Sequence, residues 1–151
     1  MKQSDQRRMS VLLGLRRRRE DVARVAFESA RVEAQAAEAQ VQRLRSLLNA
    51  QNAAAREAMV HRPASMSLYR QAAAELTASL ADANRLLAAT RAELERRRKA
   101  LHEAMQDRKA AESVNDKRVV QVAAQQYRLD TKAADDMHAA RSATSGTDSA
   151  G

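Results

Sequence analysis

Cysteine is absent, and with it disulfides and thiolate metal sites. That suits a reducing compartment. Aromatic side chains are nearly absent too: Phe27, Tyr69 and Tyr127 are the three, with no Trp. A chain of 151 residues has room for one domain, but so few large rings exclude the dense core of a compact globule. One proline, Pro63, and three glycines leave almost no punctuation. The apolar runs are short, far from a membrane span or a secretory signal. A soluble, cytoplasmic protein is expected.

What is present is alanine, 34 residues of it. Alanine buries little area but has the highest helix propensity, and Leu, Arg, Gln and Glu follow closely. Such a composition reads as long helix or coiled coil. The one interruption is His61-Arg62-Pro63-Ala64-Ser65-Met66-Ser67. Pro63 cannot continue a helix and biases Arg62 towards extended backbone. Ser65 or Ser67 can cap a new helix by accepting from a first-turn N–H. The pattern predicts an all-α fold, two long helices in an antiparallel coiled-coil hairpin. Helix 1 covers about 4–60, the turn 61–66 and helix 2 about 67–141, within one domain of 1–142. The helices are roughly 85 and 110 Å long. The small, polar segment 143–151 is expected to be disordered.

Periodicity places the seams. In the second helix Leu76, Leu80, Ala83, Leu87, Thr90, Leu94, Arg97 and Leu101 alternate steps of four and three. After a slip around 104–119 the seam resumes at Val119, Val122, Gln126, Leu129 and Ala133. In the first helix the large residues select Val11, Leu15, Arg18, Val22, Val25, Ser29 and Val32, then Val41, Leu44, Leu48 and Ala55. Folding about Pro63 brings Val41 towards Leu86, Leu44 towards Ala83 and Val22 towards Met105. Helix 2 overhangs helix 1. A seam so polar and alanine-rich is marginal alone, which suggests that a partner covers part of it. Tyr69 and Met66, near the turn, either close the end of the coiled coil or join Leu68, Leu76 and Leu80 in a binding surface.

The net charge of +8 is local. Residues 1–20 hold seven basic and two acidic groups, including Arg16, Arg17, Arg18 and Arg19. A second cluster is Arg96, Arg97, Arg98 and Lys99. Either is a solvated helix face or a contact for an acidic surface or nucleic acid.

Catalysis finds no foothold. His61, His102 and His138 are at no ligand spacing from one another, and no phosphate-cradling glycine loop exists. Carboxylates such as Glu28, Glu33, Glu38 and Glu57 lie among arginines, where i,i+4 pairing is their ordinary role. No enzyme activity, cofactor, metal or small-molecule ligand is expected. Nucleic acid is a poor fit, because stacking platforms need aromatics. A membrane-surface helix would need large apolar residues opposite the charges.

The order of features resembles the FliJ/YscO group, the stalk proteins of type III export ATPases in flagella and injectisomes. The carrying residues are Leu12-Leu-Gly-Leu-Arg-Arg-Arg-Arg-Glu-Asp-Val-Ala-Arg24 running into Ala34-Gln-Ala-Ala-Glu-Ala-Gln-Val-Gln-Arg-Leu44. Near the C-terminus they are Asp107-Arg-Lys-Ala-Ala-Glu112 and Gln125-Gln-Tyr-Arg-Leu-Asp130, then Ala133 and Ala134. The scarcity of aromatics departs from flagellar members and favours an injectisome or plant-associated relative. The resemblance implies a stalk like the γ subunit of rotary ATPases, cytoplasmic and peripheral to the inner membrane. Its paired helix ends would enter a hexameric secretion ATPase through Arg16–Arg19, Arg118 and Leu129. Its tip would meet an export-gate membrane protein, or substrate chaperones, around Leu44, Leu48, Tyr69, Leu76 and Leu80.

Two other readings of the residues stand beside this one: a coiled-coil scaffold whose strands pair between chains, and a basic helical nucleic-acid binder. Sedimentation at micromolar concentration separates the first. An intramolecular hairpin returns a monomer, and a dimer at all concentrations would mean pairing between chains.

Overall fold

The computed structural model describes residues 2–148, with side chains over 3–146. Two helices carry the chain, α1 over Lys2–His61 and α2 over Met66–Asp148, and no strand occurs among the described residues. The fold is the all-α helical hairpin that the composition predicts.

Proline makes the corner. Arg62 leaves the helical region at φ −146° and ψ 66°, and Pro63–Ser65 form a single 3₁₀ turn. The Arg62 N–H donates to the Ala58 carbonyl at 2.6 Å and closes α1. The Met66 N–H donates to the Pro63 carbonyl. Ser65 works opposite to the expected cap: its hydroxyl donates to the Arg62 carbonyl at 2.8 Å. The same carbonyl also accepts from the Ser65 N–H at 3.1 Å, so the hydroxyl adds a second bond to it and caps no N–H.

Packing divides the hairpin into two units. One runs from Arg17 to Gln106 and contains the turn. Its core is Ala37, Val41, Leu44, Ala83 and Leu87, with Leu76 and Leu80 packed against it. Arg91 donates to Glu38 across the helices at 3.4 Å. The other unit pairs the start of α1 up to Arg16 with α2 from Asp107 onward. Arg16 donates to Asp107 at 3.0 Å there.

The buried row of α1 corrects the expected seam. Leu13, Glu20, Ala30, Ala34, Ala37, Val41, Leu44 and Ala58 are buried, and Arg16, Ala23, Phe27, Leu48, Gln51 and Ala55 are half-buried. These fourteen positions alternate steps of three and four without a break, the heptad of a regular coiled coil. The expected Val11, Leu15, Val22, Val25 and Val32 are each at least 56% exposed. Arg18 and Ser29, placed in the same expected seam, are exposed as well. The row passes through small residues because alanine lets the two backbones approach closely.

In α2 the row is Leu76, Leu80, Ala83, Leu87, Thr90, Leu94, Leu101, Ala104, Arg108, Ala111 and Asn115, buried or half-buried. Arg97 stays exposed at its place in that row. No slip occurs over 104–115. Arg108 occupies its seam position by lying along the surface with its guanidinium on Glu112 at 2.8 Å, a use of the long stem that covers apolar area. Leu86 is exposed and Leu87 buried, so Val41 packs with Leu87 and not with Leu86. Val22 is exposed and takes no part in the expected pairing with Met105.

Residues 143–148, placed in a disordered tail by their composition, continue α2. Thr144 donates to the Ala140 and Arg141 carbonyls, and Ser145 to that of Ser142. Such bonds let short polar side chains stay on a helix. Residues 149–151 of that expected tail lie outside the described residues.

The register has a direct consequence. Leu87→Ala should cost about 2–3 kcal/mol, since it leaves a gap in the one tight cluster. Val25→Ala should change stability by less than about 0.5 kcal/mol, or raise it slightly through helix propensity. Urea unfolding of the two variants measures both. A larger loss from Val25 would restore the expected seam.

Candidate functional site

No group of His, Cys, Asp or Glu among the described residues could hold a metal. Two open grooves between the helices, one at each end of the described residues, are the candidate sites.

At the open end, no residue of α2 from Asp116 to Gly146 is buried or half-buried. A groove of ≈ 120 Å³ opens between the helices there. Asp5, Gln6 and Met9 line it from α1, and Asn115, Arg118, Val119 and Val122 from α2. Further along α2, Tyr127, Leu129 and Met137 are exposed. Arg118 and Leu129, the predicted contact residues of this end, are thus on open surface.

Arg16–Arg19 are consecutive residues on one helix, so at about 100° per residue they point four ways. They form a belt around α1 and not a patch. Arg16 turns to Asp107, and Arg17 also has a partner. Arg18 and Arg19 are exposed and in no ion pair among the described residues. In the second cluster, Glu93 accepts from the Arg96 Nε at 2.8 Å and pairs with the Arg97 Nε at 2.8 Å. The Arg96 hydrogen bond, with the charges of Arg96 and Arg97, holds the Glu93 carboxyl below its ordinary range against opposing desolvation. That one carboxylate holds Arg96 and Arg97 but offsets a single charge of the cluster, and Arg98 and Lys99 stay exposed.

Near the turn, the five predicted gate or chaperone residues separate. Leu44 is buried in the core cluster, and Leu76 and Leu80 pack on it. Leu48 and Tyr69 are half-buried. Tyr69 lines a polar groove with Ala54, Glu57, Ala58, His61 and Arg62. Met66 is half-buried beside the turn, and Leu68 is exposed. What residue type alone did not reveal is Glu20, a buried carboxylate in the α1 row that accepts from Arg24 at 2.9 Å. Counting heptads back from Val41 lands on it.

The Arg16–Asp107 pair is partly solvated on both sides. A double-mutant cycle with Arg16→Ala and Asp107→Ala should return a coupling of less than about 1 kcal/mol that falls with added salt. A larger value would make the pair a structural clamp unavailable to partners.

The family model described as flagellar FliJ protein matches residues 5–147 of the chain. No curated protein and no solved structure matches it. The matching description is the flagellar one, so the scarcity of aromatics does not set the chain apart from that branch.

Proposed function

The chain belongs to the FliJ family, and from that premise we propose that it is the central stalk of a type III secretion ATPase, promoting assembly of the hexameric ring and coupling it to the export gate. Membership makes it a flagellar type III export-related protein of a non-catalytic family. The stalk reading goes further. Its main support is the end of α2, where Val119, Val122 and Leu129 stay exposed among Lys117, Arg118, Arg128 and Lys132, although Met9 of α1 is half-buried in the groove beside Val119 and Val122. Apolar residues left bare beside cations suit a pore that offers apolar contact and carboxylates. Arg18 and Arg19 add exposed charge that the hairpin itself does not use.

At the tip, the gate or chaperone contact includes Leu48 and Tyr69, with Leu44 in the core cluster and Leu76 and Leu80 packed against that cluster. Their role is to fix the shape that the partner meets. Action at the cytoplasmic side of the inner membrane agrees with a chain in which no described helix is long and apolar enough to cross a membrane.

The test is ATP turnover and ring formation by the organism's own secretion ATPase, with and without equimolar stalk protein. Stimulated turnover with a hexamer-sized complex is expected. Charge reversal of Arg16, Arg17, Arg18 and Arg19 to Glu should abolish stimulation while helix content holds. Because Arg16 supports the fold through Asp107, R18E/R19E is the cleaner variant, expected to cut stimulation at least tenfold by removing only exposed charge. Unchanged stimulation in both would reject this polarity. No stimulation and no co-migration by the unaltered protein would return the chain to a coiled-coil scaffold.

A further inference from the structure

The outward face of α1 in the unit holding the turn has the wrong chemistry for solvent. The buried row there is Glu20, Ala23, Phe27, Ala30, Ala34 and Ala37. Two residues further on lie Val22, Val25, Ser29, Val32, Ala36 and Ala39, a second three–four row about 200° away round the helix. A solvated hairpin carries charge there. This one carries three valines, 61–71% exposed. Valine is also a poorer helix former than the alanine used so freely elsewhere. The hairpin gains nothing from these side chains, so their use is outside it.

The flanks say what fits. Asp21 and Glu28 precede Val22 and Ser29 by one residue, and Glu33 follows Val32 by one. All three are exposed. Asp21 and Glu33 are in no ion pair among the described residues, and Glu28 has only Arg31 at 3.6 Å. The arginines of this stretch, Arg24 and Arg31, follow the buried row by one residue and turn to Glu20 and Glu28. An apolar strip bordered by carboxylates therefore lies on a chain whose net charge is +8. That sign repels nucleic acid and anionic lipid, and attracts a cationic partner.

We propose that this face of α1, from Asp21 to Ala36, docks a basic amphipathic helix of another protein. The partner's aliphatic residues pack along Val22, Val25 and Val32, and its Lys or Arg residues reach Asp21, Glu28 and Glu33. The exposed Arg18 and Arg19 bound the strip at its N-terminal end and discriminate against a helix that is cationic throughout. This surface adjoins the ATPase contact at Arg18 and Arg19, but its valines and carboxylates take no part in that contact, and it stands whether or not that reading holds.

The test uses the full chain and two labelled three-heptad model helices with identical Leu faces, one flanked by Lys and the other by Glu. Fluorescence anisotropy should show the Lys-flanked helix bound at least tenfold more tightly, with the preference shrinking as salt rises. Val25→Arg should weaken that binding at least tenfold while helix content and urea midpoint stay unchanged. The reversal D21K/E28K/E33K should transfer the preference to the Glu-flanked helix. Equal binding of both helices, binding of neither, or no effect of Val25→Arg would overturn the proposal. So would self-association of the unaltered chain that Val25→Arg abolishes, because a second copy would then be the occupant.

Discussion

The molecule depends on one narrow constraint, a single seam in which two helices must satisfy each other with very little to bury. Val41 is the only side chain with less than 2% of its surface exposed among those described. Around it the seam is alanine with a few leucines. Each alanine contributes little apolar area, so stability comes from helix propensity and close backbone approach along a long, regular row. Such an assembly is extended by adding heptads, and among the described residues its seam buries a single charged side chain, Glu20.

The same economy governs the charges. Some acidic and basic groups pair within a turn, as Arg96 and Arg97 do on Glu93 and Arg108 does on Glu112. These exposed pairs are worth little individually, yet they determine which charges remain outward. Arg18 and Arg19 on α1 and Arg98 and Lys99 on α2 are among the exposed cations that stay in no ion pair among the described residues. Of the carboxylates in no ion pair among the described residues, Asp21 and Glu33 border the valine strip. A count of +8 conceals this separation of signs along one helix.

Much of the fold could be read from the sequence because its determinants are local. Pro63 sets the corner, alanine and arginine set the helices, and Leu76 to Leu101 mark the α2 seam by large residues at heptad spacing. The α1 seam could not be read in the same way. There the large side chains, Val22, Val25 and Val32, are outside, and the inside is Glu20, Ala23, Phe27 and Ala30. Choosing the seam by size therefore selected the wrong face over the first thirty residues. The apparent slip in α2 has the same origin, since Ala104, Arg108, Ala111 and Asn115 keep the period with residues that do not look apolar. Of the predicted contact residues, Arg18, Arg19, Arg118 and Leu129 are open to solvent. Leu44 is not, because a leucine at heptad spacing near the turn is needed by the hairpin first.

That error of face is itself informative. In a two-helix hairpin, period and size normally agree, since the largest apolar residues occupy the seam. Here they disagree over a stretch of α1 and agree again from Val41 onward, where the leucine cluster forms. Folding alone explains the small residues inside, because close approach needs them. It does not explain β-branched residues outside, where each costs helix propensity and ordered water. A sequence that holds its period and puts its bulk on the wrong side is shaped by two seams, one closed within the chain and one left open.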